Sequence, residues 1–433
     1  MFGLKNRQAA NPPTAPQGTV VPAANALLCS EVVFDRRNRI AGHLLRMRRA
    51  DFAAQAPAPL QTAHDQQLLA LLTNEEQPEH GGLFFLPLSS ASLSLPTVDQ
   101  LAGRKIMLLL QLADAACSQE LLPRIEQLQE QGLQIGLYRQ PRHAAFGELV
   151  AASDCGALDI AAHPPETIRD FSAAYRAIEK TRPNALFAAN IDHLDELQLC
   201  RQWHFDYFHG RFAELPPLPD SERSGADPHK MQLLHLLRLV QSDADTSEIA
   251  VALKHDPLLA FRILRYLNSP ALGLSGRIDS MEQALMLLGR QRLFRWLSVL
   301  LFSVREPQFG DWLLVESALT RGRLMELLGR ESHPDIASDT LFLAGIFSCL
   351  DRLLRRPLAE ILADMPLPEL VAEALLHGRG TLAALLRTAI AGDSFDLLRL
   401  ESAARDAGLS PHSVNRAFLA ATAWASEVTE HWE

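Results

Sequence analysis

Short apolar runs alternate with helical stretches through the first half of the chain. Segments such as SQELLPRIEQLQEQG (118–132) place leucine and isoleucine at helical spacing. Five runs have the length and the flanking turns of buried strands: LFFLPL (83–88), KIMLLLQL (105–112), LQIGLY (133–138), NALFAA (184–189) and HFDYFHG (204–210). Strand–helix alternation of this kind predicts an α/β domain with a parallel sheet, either closed as a barrel or open.

The pattern changes after residue 228 and becomes helical. The segment ELPPLPDSERSGADP (214–228) is rich in proline, serine and charge, which predicts a linker between two domains. Beyond it, helical spacing continues without a strand run: 231–241, 312–330, 339–354, 368–377, 380–391 and 411–430. The second half is therefore predicted to be all-α. We also expect helix 231–241 to pack between the two domains.

Composition and charge limit the functions that remain open. Of 433 residues, 48% are hydrophobic, which is typical of a globular protein, and the net charge is −10. An acidic chain is not suited to non-specific binding of nucleic acid or anionic membranes. The proline-rich residues 1–24 predict a disordered tail without the apolar core of a secretory signal. With five widely spaced cysteines and no apolar run long enough to cross a bilayer, we expect a cytoplasmic location and no membrane insertion.

The second half resembles the HDOD domain. Residues 249–297 carry the pattern DP…L…NS…G…I.S…A…LG…L of that family. The matching positions are Asp256, Pro257, Asn268, Ser269, Ile278, Ser280, Ala284, Leu288 and Gly289. Asp256 can cap a helix that begins at Pro257. Gly289 can terminate a later helix, whose last residue is Leu288. The segments 342–376 and 417–428 resemble the C-terminal extension of proteins that join an EAL domain to an HDOD domain.

The first half resembles a degenerate EAL domain, which is a TIM-like barrel in that family. The segment VVFDRRNRIAGHLLRMR (32–48) is similar to the opening strand, hairpin and signature segment, and weaker similarities follow at 132–138, 186–192 and 205–212. The domain organisation expected from both resemblances is a tail (1–24), a degenerate EAL-like barrel (25–213), a linker (214–228) and an HDOD domain with its C-terminal extension (229–430). We expect residues 221–430 to fold alone.

Active EAL domains are metal-dependent phosphodiesterases that linearise cyclic di-GMP, and two-metal hydrolysis requires several converging carboxylates. By the resemblance, the signature glutamate and arginine fall on His43 and Met47. The asparagine that ends the next strand falls on Pro87. The glutamate of the following strand falls near Leu110. These positions have lost their metal-binding groups.

The later motifs are changed in the same way. The acidic pair after the fourth strand falls on Tyr138 and Arg139, and the lysine of the next motif falls on Ala157. The aspartate of that motif remains as Asp159. The glutamate pair before the last helix becomes Ala189 and Asp192, and the final Gln-Gly-Tyr becomes His209, Gly210 and Arg211. Two acidic residues are too few for two divalent cations, so we predict no catalytic residue, no metal ligand and no cofactor.

The helical half contains a second possible metal-binding motif. His255 and Asp256 spell the dipeptide of HD phosphohydrolases, but Asp256 before proline is better explained as a helix cap. The segment that resembles the metal-binding Gly-Leu-Leu-His-Asp of that family is Gly345–Cys349, where Ser348 and Cys349 replace both ligands. Asp351 is then a helix cap or an ion-pair partner, and the helical domain is predicted to be non-catalytic.

Arginines leave one alternative open. Arg46, Arg48, Arg139 and Arg211 could contact the phosphates of cyclic di-GMP without cleavage, although solvated surface arginines are the commoner case. The cluster Arg290, Arg292 and Arg295 is likewise interpreted as a solvated helix face.

The resemblances together imply a non-catalytic bacterial signal-transduction scaffold that binds other proteins. The partners expected are sensor kinases, response regulators or other signalling proteins of cyclic di-GMP and motility pathways. The alternative is a cyclic di-GMP receptor that binds the nucleotide at the barrel mouth.

Overall fold

The structure is a computed structural model that describes residues 26–48, 58–74, 82–178, 184–213, 228–242, 244–254, 285–286, 288–302, 309–363, 367–393 and 396–430. Three predictions lie outside these residues: the tail (1–24), the linker except for Pro228, and the HDOD positions from His255 to Ala284. Over the described residues no helix is long and apolar enough to cross a membrane.

The first half closes into a barrel whose strands neighbour each other in sequence order. The first strand runs antiparallel to its two neighbours, whereas the remaining pairs are parallel. The strands are β1 (Leu27–Asp35), β2 (Ile40–Arg48), β3 (Leu83–Ser89), β4 (Ile106–Gln111), β5 (Gln134–Tyr138), β6 (Cys155–Asp159), β7 (Ala185–Ala189) and β8 (Tyr207–His209). The predicted TIM-like barrel is confirmed, and of the two sheet arrangements left open, the closed one is correct.

Helices cross between the parallel strands. They are α1 (Ala58–Asn74), α2 (Pro96–Asp99), α3 (Ser118–Glu130), α4 (Phe146–Ala152), α5 (Pro165–Arg176) and α6 (Leu194–Gln202). The β1–β2 hairpin turns within residues 36–39 and therefore has no crossover helix of its own.

The second half is helical throughout its described residues, as predicted. Its helices are α7 (Pro228–Gln241), α8 (Thr246–Lys254), α9 (Arg290–Leu300), α10 (Phe309–Ser332), α11 (Ser338–Phe347), α12 (Leu350–Leu354), α13 (Leu358–Leu362), α14 (Glu369–Ala372), α15 (Ala383–Gly392), α16 (Leu397–Asp406) and α17 (Pro411–Glu430). A π-helical turn (Glu373–His377) follows α14. Gly289 has a φ of +74°, a conformation that favours glycine, at the predicted boundary before α9.

The interior of the barrel is filled by one set of side chains: Val33, Leu44, Phe85, Met107, Leu109, Cys155, Ala157, Phe187 and Ala189. Because side chains alternate across a strand, this set determines which residues of each strand face inward. The inward-facing residues beyond it lie at the C-terminal ends of β2–β8, together with the N-terminal part of β1. These ends form the barrel mouth.

The hydrophobic core does not divide at the predicted linker. One cluster runs from the outer face of the barrel, including Leu28 and Phe34, to Leu324 of α10 and Phe418 of α17. Helix α17 lies against β1, at the hairpin that has no crossover helix.

Helix α7 does not have the place that was predicted for 231–241. It packs against α9 and α8 in a second cluster that contains no residue of the barrel. The barrel is contacted instead by α16, by α17 and, through Glu316, by α10. The leucine stripe of α7 was therefore assigned to the wrong interface, since an apolar face does not specify which surface will cover it.

Candidate functional site

The inward face of β2 forms part of the site, and its residues differ from one prediction. Leu44 lines the barrel interior, so Arg46 and Arg48 face the mouth and His43 and Met47 face outward. The prediction that the signature glutamate and arginine fall on His43 and Met47 is therefore displaced by one residue, which exchanges the two faces of a strand. The signature glutamate and arginine are four residues apart. On the inward face of β2, the glutamate could therefore correspond to Leu44, with Arg48 after it, or to Gly42, with Arg46 after it. Neither of those positions supplies a carboxylate.

A similar correction applies to β4. Leu110 belongs to the outer cluster, whereas Leu109 lines the interior and Gln111 follows it on the same face. The inward group at the end of this strand is therefore an amide. On the neighbouring β3, alternation from Phe85 places Pro87 inward, as the sequence predicted.

A buried ion-pair network lies just inside the mouth. Arg46 Nη2 donates to Glu31 Oε2 at 2.5 Å, and His209 Nε2 lies 2.8 Å from the same oxygen. Glu31 and His209 are 7% and 1% exposed. The backbone N–H of Asn190 donates to His209 Nδ1 at 3.4 Å, so Nε2 carries the proton that is shared with Glu31. The network joins β1 to its two neighbouring strands, β2 and β8.

The electrostatics of this network follow from burial and charge. Burial alone would raise the pKa of Glu31, but Arg46, His209 and Arg48 outweigh it and hold this pKa far below its usual range. Burial lowers the pKa of His209 more than Glu31 raises it, so the imidazole is neutral near pH 7. Sequence analysis did not identify Glu31; the only indication was an acidic residue within an apolar strand.

The two predicted acidic residues lie beside this network. Asp159 Oδ2 accepts a hydrogen bond of 2.9 Å from Asn190 Nδ2. Asn190 has a φ of +56°, a backbone conformation that asparagine tolerates better than most residues, directly after β7. Asp159, Asn190 and Asp192 line a cavity of about 490 Å³ together with Arg46, Arg48 and Arg211.

The site does not fit a pair of divalent cations. Glu31 Oε2 is already bonded to Arg46 and His209, and Asp159 Oδ2 accepts from Asn190, which leaves Asp159 Oδ1 as a single buried oxygen without a hydrogen bond. Across the described residues no group of three or more histidine, cysteine, aspartate or glutamate side chains is placed to hold a metal ion. The three arginines that line the mouth, Arg46, Arg48 and Arg211, would also repel metal ions.

Other predicted positions are less involved in the mouth. Tyr138 faces the interior, and burial raises its pKa. The Arg139 guanidinium lies 3.4 Å from His163 Nε2 and does not line the mouth cavity, unlike the other three arginines of the receptor alternative.

The segment Gly345–Cys349 of the helical half contains a second guanidinium. Arg321 pairs with Asp393 at 2.6 Å and donates to Ser348 Oγ at 3.1 Å. The Ser348 hydroxyl donates to the Gly345 carbonyl at 2.6 Å. Burial raises the pKa of the Cys349 thiol. A buried cation beside this segment leaves an unfavourable place for a metal ion.

Comparison with known proteins assigns a part of the second half. Residues 228–360 match the family model of the HDOD domain. This part of the chain is an HDOD domain. A barrel followed by an HDOD domain is consistent with the EAL-plus-HDOD architecture that the sequence resembles.

Two curated bacterial proteins are similar to part of the chain. The uncharacterised protein YuxH of Bacillus subtilis is 33% identical over 195 residues, which cover 44% of this chain and 46% of YuxH. The cyclic di-GMP phosphodiesterase CdgJ of Vibrio cholerae is 24% identical over 244 residues, covering 56% of this chain and 55% of CdgJ. The chain thus matches about half the length of each of these relatives.

Solved structures with similar folds include EAL domains. The YkuI protein of Bacillus subtilis, with an EAL domain in complex with cyclic di-GMP and calcium, matches at 14% identity and a TM-score of 0.36. That match covers 61% of this chain and 73% of YkuI.

Within the HDOD domain, Arg295 differs from its prediction as a solvated residue. It pairs with Glu326 at 2.8 Å and Asp339 at 3.2 Å, and its guanidinium lies 4.1 Å from the centre of the Phe342 ring. Arg290 donates to the Ala244 carbonyl at 2.5 Å, and only Arg292 of the three is exposed. Two arginines of this cluster therefore hold helices of the domain together.

The barrel and the HDOD domain also meet at a buried polar contact. His43 Nε2 lies 3.1 Å from Glu316 Oε1 of α10, and both side chains are at most 5% exposed. His43 Nδ1 lies 3.4 Å from the Ser426 hydroxyl of α17. The outward face of β2 is thus in polar contact with two helices of the second half.

Proposed function

We propose that this protein is a non-catalytic signalling protein that acts by binding other proteins in a pathway related to cyclic di-GMP. The observation that carries the proposal is the Glu31–Arg46–His209 network at the barrel mouth. It places a guanidinium and a neutral imidazole on Glu31, a carboxylate that is 7% exposed. Metal-dependent hydrolysis of a phosphodiester needs free carboxylate oxygens at this end of the barrel.

The changes around the network support the same conclusion. Leu44, Pro87, Gln111, Tyr138 and Ala189 face inward where ionised ligands would be required. Hydrocarbon, amide and phenol groups cannot balance the charge of two divalent cations. In the HDOD domain, Arg321 similarly supplies positive charge beside Ser348.

The relation to cyclic di-GMP rests on the relatives. CdgJ is a cyclic di-GMP phosphodiesterase, and YkuI was solved with that nucleotide. A chain built from the same domain types but without metal ligands retains the surfaces through which signalling proteins recognise each other. Sensor kinases and response regulators are the partners that this class implies.

The enzymatic part is tested by incubation of the purified protein with cyclic di-GMP and Mn²⁺ or Mg²⁺. We expect no linear dinucleotide above buffer, with CdgJ as the active control. Turnover that disappears in Asp159→Asn or Asp192→Asn would contradict the proposal, since it would require these carboxylates to hold a metal.

The partner is tested by affinity capture with the full chain as bait in bacterial cells, followed by binding measurements with the purified candidate. We expect a saturable complex with a signalling protein that forms equally with and without EDTA. A chain that binds no signalling protein but turns over a nucleotide would refute the proposal.

The second candidate function is a nucleotide receptor. Arg48 and Arg211 line the mouth cavity, which favours binding of a phosphate there. The variant Ala162→Glu adds a negative charge to the mouth cavity and tests this possibility, because it should abolish nucleotide binding at the mouth.

A further inference from the structure

A larger cavity lies beside the mouth, between the barrel and the helical half. Its volume is about 1020 Å³, comparable to sites for nucleotide-sized ligands. One wall is the mouth end of β1 with Arg48 and Arg211, and the other is formed by helices α10, α12, α15 and α16. We call this cavity the interdomain cleft. Arg48 and Arg211 line both cavities, so the cleft opens next to the mouth.

The charges of the cleft are not balanced. Among its carboxylates, Glu31 is bonded to Arg46 and His209, whereas Glu316 Oε1 lies 3.1 Å from His43 Nε2 without a hydrogen bond. The other two pairs are Asp393 with Arg321 and Asp396 with Arg399. Glu31, Asp393 and Asp396 are therefore already paired with an arginine each, and Glu316 lies beside an imidazole.

Three arginines that line the cleft are, by contrast, not paired with a carboxylate among the described residues. Arg48, Arg352 and Arg387 form no ion pair with any carboxylate in the described part of the chain, and Asp406 is the remaining acidic residue of the lining. Burial and the neighbouring Arg46 lower the pKa of Arg48 more than Glu31 raises it. Positive charge converging from both walls of a partly enclosed cleft favours a ligand with more than one negative charge.

The cleft also offers apolar surface. Ile390 and Leu398 are 41% and 67% exposed, and both line the cleft beside its arginines. Exposed aliphatic side chains next to guanidinium groups suit a ligand with a flat apolar part and separate charged groups.

We propose that the interdomain cleft binds a nucleotide with at least two phosphate charges. Its phosphates contact Arg352 and Arg387 from the helical half and Arg48 from the barrel, and its base covers Ile390 and Leu398. The bound nucleotide bridges the two halves. This inference goes beyond the proposed function, which requires neither a ligand nor a second site.

The test uses titration calorimetry of the full chain with three probes: inorganic pyrophosphate, GDP and cyclic di-GMP. We expect saturable binding of at least one of the two nucleotides, tighter than binding of pyrophosphate because the base adds apolar contact. Arg352→Gln and Arg387→Gln should each weaken it by about tenfold, the usual effect of losing one charge-assisted hydrogen bond. Both side chains are at least partly exposed, so these variants are expected to fold.

Two control variants locate the ligand. Arg379→Gln removes an exposed arginine outside the cleft, and it should leave affinity unchanged. Ala162→Glu adds a negative charge to the mouth cavity alone, and it should also have little effect. Circular dichroism and melting temperature confirm the fold of each variant.

Three results would overturn the proposal. The first is no saturable binding of any probe. The second is nucleotide binding that Ala162→Glu abolishes while Arg352→Gln and Arg387→Gln leave it intact, which would place the ligand at the mouth. The third is pyrophosphate binding as tight as that of both nucleotides, which would exclude a role for the base. Absence of hydrolysis would be unaffected by each result.

Discussion

At the scale of single residues, the mouth of the barrel is organised around a carboxylate that is not free to act as a ligand. Glu31 shares one oxygen between Arg46 and His209 in a position that is almost inaccessible to water. Removing an ion from water is costly, and the pair offsets that cost only while both partners are present. The network should therefore contribute to stability as a unit.

The substitution Glu31→Gln tests this. It leaves Arg46 largely buried without its carboxylate, and we expect a loss of about 3–5 kcal/mol in the free energy of unfolding. Asp170→Asn is the control, because the Arg169–Asp170 pair is 58% and 69% exposed and should change stability by less than about 1 kcal/mol. Urea unfolding measures both. Equal effects of the two substitutions would show that the network is not stabilising.

The pH dependence of the same two proteins gives a second measurement. The pKa of Glu31 is depressed in the folded state, so its contribution is complete above the ordinary value of 4.5 and is lost as the pH falls through lower values. His209 also has a depressed pKa, so wild-type stability should begin to fall below its ordinary value of 6.5. We expect the difference between wild type and Glu31→Gln to shrink below pH 4.5. A constant difference would contradict this assignment.

At the scale of elements, α17 takes the place of a crossover helix at the β1–β2 hairpin. The Asn415 side chain accepts from the backbone N–H of Leu28 at 2.8 Å and donates to the Ala26 carbonyl at 3.0 Å. These bonds satisfy two buried backbone groups at the start of β1. One asparagine thus aligns a helix from the end of the chain with the first strand.

We expect Asn415→Ala to destabilise the protein by about 1–3 kcal/mol, because it leaves buried backbone groups without partners. His412→Ala is the matched control: it lies on the first turn of α17, is exposed, and should have an effect within about 0.5 kcal/mol. Thermal unfolding followed by circular dichroism measures both variants. An Asn415→Ala midpoint equal to that of the control would refute the role of Asn415.

At the scale of the whole molecule, one of the hydrophobic clusters extends through both halves. The cluster that includes Leu28 and Phe34 of β1 continues to Phe418 of α17, and the buried pair of His43 and Glu316 lies at the same boundary. Separating the halves would expose this apolar surface. The sequence predicted that the helical domain folds alone. From the structure, we expect instead that it needs the barrel to fold stably.

Expression of residues 228–433 alone should yield a protein that binds a hydrophobic dye and melts at a lower temperature than the full chain. Co-expression with residues 1–227 should restore a complex of the two fragments during size-exclusion chromatography. Helical fragments that melt cooperatively at the midpoint of the full chain, without the barrel, would contradict this prediction. The full chain cut by a protease within the linker serves as the control.

The sequence by itself determined the elements and their order. The apolar runs predicted strands at 83–88 and 133–138, and the structure has them at Leu83–Ser89 and Gln134–Tyr138. The change of pattern after residue 228 located the all-α half, and spacing over 249–297 indicated the HDOD domain. The helices and strands depend mainly on residues that are near each other in the chain, so a local period of two or 3.6 residues encodes them, whereas the HDOD domain was indicated by resemblance to that family.

Only the tertiary structure decided which faces and partners these elements have. A shift of one residue along β2 exchanges His43 for Leu44, and the closed barrel interior is what distinguishes them. Glu31 meets His209 across 178 positions of the chain, and Leu28 meets Asn415 across 387. Such pairs are set by barrel closure and by the need to cover an exposed hairpin. Both are properties of the packed molecule that no local pattern contains.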